Sequence, residues 1–148
     1  MQTTRKHRSL LVISGLIAVA IGSSILISPA QFHATHGIEL GSDANLLSEV
    51  RAPGGALLLL GLMIGVGGVL PVYSIASTSI AAAVYLGYGL SRVLSLALDG
   101  VPVPGLVGAM IIELAIGAMC IVALVRATPR SVIQSAPPPL STLREGVA

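Results

Sequence analysis

The chain has 148 residues, of which 54% are hydrophobic and only 9% charged, and its mean hydropathy is +0.94. Soluble domains carry about 25% charged residues, and a chain this short buries too little surface to hide so much apolar area from water, so a soluble globular domain is excluded. The net charge of +2 and the pI near 9.1 do not indicate nucleic acid, because most of the basic residues lie at the two ends, outside the apolar segments.

A hydrocarbon core of about 30 Å is crossed by about 20 apolar residues in a helix. Four segments meet this requirement: residues 9–28, 47–70, 73–98 and 105–126. The first stops at Ser28-Pro29, where proline opposes continuation of the helix. The second has its apolar heart at residues 56–70 and is extended at its start by a more polar turn or two before Pro71 closes it. The third runs to Asp99-Gly100, whose following Pro102, Pro104 and Gly105 mark a turn. The fourth leaves the membrane at Arg126, and residues 127–148, with Pro137-Pro138-Pro139, read as an extended tail.

Charge orients these spans. Arg5, Lys6 and Arg8 precede the first and Arg126 and Arg130 follow the last, whereas the opposite loops hold Glu39, Asp43 and Asp99 and no lysine. An even number of spans puts all five basic residues on one side, and the positive-inside rule makes that side the cytoplasm. The expectation is therefore an all-α, integral membrane four-helix bundle in the cell's inner or plasma membrane. Residues 1–8 and 127–148 would be its cytoplasmic ends. A cleaved signal peptide is the competing reading of the first span, but its apolar run exceeds the about 7 to 15 residues usual in such peptides, and its loss would leave an odd span count.

In lipid, close backbone approach replaces the hydrophobic effect as the cause of helix association, so small residues mark contact faces. Gly61 and Gly65 form a GxxxG step in the second span, and Ala83, Gly87, Ser91 and Ser95 recur every four residues in the third. These two stripes are expected to pack together within one bundle. A homodimer face is the alternative use of the same motif.

Ionisable residues within spans are costly and are placed where a partner or water meets them. Arg92 precedes Asp99 by seven residues and Glu113 follows Leu106 by seven, each about 10 Å of helix, so antiparallel neighbours would pair them. Glu49 and Arg51 begin the second span on different helix faces, and if Glu49 met Arg92, or Arg51 met Glu113, the cluster would become a network of four charges with Tyr88 and Tyr85 on its floor. Structural pairing, ligand or ion binding, and proton transfer at Glu113 are the three readings of such a cluster, in that order of preference.

His33, His36 and Glu39 have ligand-like spacing, but no helix is evident there to align them, so they read as a solvated loop and no metal site is assigned. Cys120, the single cysteine, lies deep in the fourth span without an activating base. No phosphate loop, dinucleotide fingerprint, zinc-protease helix or hydrolase elbow occurs, so neither a cofactor nor a catalytic residue is assigned.

The ordered set Glu49-Val50-Arg51-Ala52-Pro53-Gly54-Gly55, then Gly89-Leu90-Ser91-Arg92-Val93-Leu94-Ser95 with Asp99-Gly100, then Glu113-Leu114, resembles the bacterial family called domain of unknown function 4345. The likeness covers residues 9–125. It implies a compact four-helix membrane protein that groups Glu49, Arg51, Arg92 and Glu113, with Pro53 where the family more often has an aromatic or aliphatic residue. A phage-infection label on some relatives implies an envelope role. The resulting expectation is a noncatalytic protein whose partners are the lipid bilayer and either a second copy or an envelope protein, with no nucleic acid. A transporter-like bundle that binds a small molecule or ion at the Arg/Glu cluster is the competing hypothesis.

Overall fold

The computed structural model describes residues 5–134, and these contain helices and connecting turns but no strand. The helices are α1 (Arg5–Ile27), α2 (Pro29–Ala34), α3 (Ala44–Val69), α4 (Ser74–Asp99) and α5 (Pro104–Gln134), with a 3₁₀ turn at Pro71–Tyr73 leading into α4. Four stretches are long and apolar enough to cross a membrane: Arg5–Ile27, Ala44–Val69, Pro71–Asp99 and Pro104–Ala127. Their alternating direction sets Arg5 and Arg126 at one end of the molecule, the termini end. The α1–α3 and α4–α5 connections lie at the other, the loop end.

Local chemistry sets the boundaries. Asp43 caps α3, its carboxylate accepting from the Leu46 N–H at 2.8 Å. At the end of α4, Gly100 takes φ 95°, a left-handed-side conformation that residues with a Cβ rarely adopt. Pro29 stops α1 as expected but also occupies the first position of α2, where its missing N–H costs nothing, so a short helix stands where a loop was expected. Pro53 lies inside α3, which absorbs residues 44–55 as regular helix. Residues 127–134, expected as extended tail, continue α5 past Pro129, while residues 135–148 lie outside the described ones.

The helices associate mainly through glycine. Gly54, Gly61 and Gly68 on α3 are spaced by seven, as are Gly15 and Gly22 on α1, and all are buried. A Cβ built on Gly15 would stand 2.8 Å from the Gly61 carbonyl oxygen, and one built on Gly61 would stand 2.9 Å from that of Gly15. Glycine is thus what allows the two backbones to approach, and a spacing of seven keeps one face in register along two antiparallel helices.

This arrangement corrects the expected pairing of stripes. Gly61 meets α1, not α4, and the backbone of Gly65 occupies the space next to Gly15. Ala83, Gly87, Ser91 and Ser95 are all exposed, and a Cβ on Gly87 would meet nothing within 4 Å. The buried face of α4 instead carries Ser74, Ser77, Thr78, Ala81, Ala82, Tyr85 and Gly89. Residues 81, 85 and 89 are offset by two from 83, 87 and 91, which is about 200° around the helix, so burying one row exposes the other. Between α4 and α5 the contact is reciprocal: Leu114 packs on Gly89, and Leu86 packs on Gly117.

All four long helices converge at the termini end, where Leu11, Ile64, Ala81, Ala82, Tyr85, Ile116 and Cys120 form one buried cluster. Toward the loop end no residue of α4 beyond Gly89 is buried, and none of α5 before Ile116. The molecule there resolves into an α1–α3 pair and an α4–α5 pair. Large apolar side chains such as Leu16, Leu59, Leu62, Leu90, Ile111 and Val125 face outward. In water so much contiguous apolar surface would drive association, whereas hydrocarbon solvates it.

Candidate functional site

Short antiparallel connection places Arg92 on α4 next to Glu113 on α5. The Arg92 Nε donates to Glu113 Oε2 at 3.0 Å, with side-chain exposures of 33% and 14%. One turn deeper, the Gly89–Leu114 contact holds the two backbones close enough for this bond to form. In a span each charge lowers the other's cost of leaving water, which is the physical reason for the pairing.

Glu49 and Arg51 do not join them. The backbones of α3 and α5 do not approach each other, whereas α4 lies against both. Both residues are exposed, and Glu49 forms no ion pair among the described residues. The Arg51 Nε instead donates to the Leu26 carbonyl at 3.3 Å, in the last turn of α1. The four-charge network therefore divides into an α4–α5 ion pair and an arginine that caps a helix.

Tyr88, one turn from Arg92, is at the surface with 37% exposure, and its hydroxyl has no hydrogen-bond partner among the described residues. Tyr85 does not line a polar floor: it lies in the core and its hydroxyl donates to the Ser14 carbonyl. Asp99 accepts from the Ser95 hydroxyl at 2.8 Å at the end of α4. Arg92 and Ser95 together border a cavity of about 60 Å³ beneath the α4–α5 turn.

The expected loop residues keep local partners. His33 Nδ1 lies 2.9 Å from the Pro29 carbonyl, and His36 Nδ1 lies 3.0 Å from Thr35 Oγ1. A helix does form at His33, contrary to expectation, yet no group of three or more His, Cys, Asp or Glu side chains among the described residues is placed to hold a metal.

A second polar layer, at the termini end, escaped the sequence reading. Thr78 Oγ1 donates to the Ser74 carbonyl at 2.6 Å, so its single proton is used and His7 Nε2, 2.8 Å away, is the donor to Thr78 Oγ1. Ser77 donates to the Met63 carbonyl at 2.6 Å, and the Arg8 Nε donates to the Gly68 carbonyl at 2.9 Å. Ser74, Ser77 and Thr78 are all buried, and these bonds tie α1, α3 and α4 together. The available signal was the spacing of residues 74, 77, 78, 81 and 85, which puts three hydroxyls on the face that carries Ala81 and Tyr85.

Neither a curated protein nor a solved structure matches the chain. A family model described as domain of unknown function (DUF4345) matches residues 7–124. That stretch takes in α1 from its third residue through nearly all of the membrane-length part of α5, and with it both polar layers and every glycine contact described above. The chain belongs to the DUF4345 family.

Proposed function

We propose that the protein resides in a bacterial inner membrane with both termini in the cytoplasm and acts without catalysis, through lipid or protein contacts made at its loop end. The observation that carries this reading is the uneven burial of the bundle. Its helices are joined at the termini end, while α4 beyond Gly89 and α5 before Ile116 leave their surfaces uncovered. Arg5, Lys6, Arg8 and Arg126 lie at the joined end, which supports its assignment to the cytoplasmic side. An envelope process is the setting in which contacts on the other side would act.

Four experiments test this reading. Single cysteines at Thr35 and Val101, in a Cys120→Ala background, should react with an impermeant maleimide added outside intact cells, and one at Arg126 only after lysis. In parallel, deletion should change envelope integrity, and photocrosslinking from Ser91 in living cells should give a reproducible adduct. Normal envelope behaviour with no adduct would count against the contact role, and solute flux in liposomes containing the purified chain would favour the transporter-like alternative. The feature favouring that alternative is the cavity beside Arg92.

A further inference from the structure

The cavity beneath the α4–α5 turn has apolar walls from Leu96, Pro102, Leu106, Val107 and Met110, and Arg92 and Ser95 supply its polar side. Its volume of about 60 Å³ is well below the roughly 300 Å³ at which pockets begin to enclose whole small molecules. It is comparable to the space of about two waters, which suits a single compact polar group.

Arg92 offers such a group a defined partner. Its Nε is committed to Glu113, which fixes the plane of the guanidinium, and its remaining N–H groups have no partner among the described residues. A guanidinium in this state matches the oxygens of a phosphate. Asp99 lies seven residues further toward the loop end, on the same helix face through Ser95, and is exposed. Its Oδ2 accepts from Ser95, leaving Oδ1 without a partner among the described residues.

Charge and depth then select the ligand. Arg92, Glu113 and Asp99 bear one positive and two negative charges, so the site has no net attraction for a simple anion. α4, with 26 residues, is about 39 Å long, longer than a hydrocarbon core of about 30 Å. With α4 centred on that core, Arg92 would lie inside the hydrocarbon boundary and Asp99 beyond it. A cation at the deeper position and an anion at the shallower one complement a phospholipid that carries its phosphate below an ammonium.

We propose that this pocket seats the headgroup of a zwitterionic phospholipid, with the phosphate on the free N–H groups of Arg92 and the ammonium toward Asp99. The proposal rests on the lipid-contact reading above and specifies its site and ligand. It needs no catalytic step.

The test is native mass spectrometry of the full chain, purified in nonionic detergent, stripped of lipid and titrated with phosphatidylethanolamine or phosphatidylglycerol. Phosphatidylethanolamine should bind about fivefold more tightly, the worth of one partly exposed charge pair, and millimolar inorganic phosphate should not displace it. Val107→Phe, which fills the cavity, should weaken binding by about tenfold. Asp99→Asn, at an exposed position, should remove the preference between the two lipids. Equal binding of both lipids by the unmodified chain, displacement by inorganic phosphate, or an undiminished preference in Asp99→Asn would each overturn the proposal. A loop-end adduct in cells together with any of these results would leave the contact role standing and remove only this site.

Discussion

Arg8 on α1 and Arg51 on α3 perform the same task at opposite ends of one helix pair. Arg8 donates through Nε to the Gly68 carbonyl in the last turn of α3, and Arg51 donates through Nε to the Leu26 carbonyl in the last turn of α1. The carbonyls of a final helical turn lack partners within their own helix and carry the negative end of its dipole, so a cation there satisfies both needs. Each helix thus receives its cap from the other, and a residue grouped by sequence with a candidate site belongs to the architecture of the α1–α3 pair.

Removing these caps should loosen that pair. Arg8→Ala is expected to lower stability by about 1 kcal/mol, and Arg51→Ala, whose bond is longer and more exposed, by about 0.5 kcal/mol. Thermal unfolding in detergent, followed by circular dichroism, measures both. An unchanged midpoint for Arg8→Ala would remove the capping role.

Glycine substitutions should separate by position and not by residue type. Gly61→Ala places a methyl group within 2.7 to 2.9 Å of α1 atoms, including the Val19 nitrogen and the Gly15 oxygen, so backbones must shift at a cost of about 1–3 kcal/mol. At Gly87 a Cβ meets nothing within 4 Å, and the better helix propensity of alanine should leave Gly87→Ala neutral or slightly stabilised. Equal melting shifts for the two variants would contradict this interface.

For the ion pair, Arg92→Glu and Glu113→Arg each bring two like charges together where the Glu113 side chain is only 14% exposed. Each single reversal should reduce the folded yield and cost roughly 2 kcal/mol or more. The double exchange should recover a large part of the loss. If it folds no better than the single variants, the pair does not stabilise the α4–α5 contact.

Tyr85→Phe should cost about 1–2 kcal/mol, because it removes the donor to the buried Ser14 carbonyl while keeping the ring. Ser14→Ala keeps that carbonyl and loses only the hydroxyl's local bonds to the Leu10 and Leu11 carbonyls. It should therefore be the milder of the two changes in the same unfolding assay.

Legibility in the sequence followed the kind of physics involved. Spans are set by transfer of about 20 residues into hydrocarbon, a sum over many side chains, so α1, α3, α4 and α5 were visible without any knowledge of their packing. The Arg92–Glu113 pair was also readable, because a seven-residue count from a short turn fixes two depths at once. Partner choice was not: the Gly61 step is equally compatible with α1 and α4, and only the matching interval from Gly15 to Gly22 indicated which helix it meets. The end of α5 was placed too early, since residues 127–134, read as extended tail, continue the helix past Pro129. The hydroxyls of residues 74, 77 and 78 were passed over because small polar residues at a helix start carry little signal until their face is known.

The shallow embedding of α5 sets how freely its sequence can drift. Only 17% of its most apolar stretch is enclosed by protein, against 33% for α3. Hydrocarbon accepts leucine, isoleucine, valine or phenylalanine on nearly equal terms, so exposed positions such as Ile111, Ile112 and Val122 constrain character but not shape. Glu113, Leu114, Ile116, Gly117 and Cys120 are places on α5 where shape or charge is dictated by a neighbour. The α1–α3 seam has the opposite property, because a Cβ on Gly15, Gly22 or Gly61 would collide with the facing backbone, and one on Gly54 or Gly68 with the side chain of Ile25 or Val12. One short chain therefore combines a rigidly specified pair of helices with a helix whose identity is mostly written by the lipid around it.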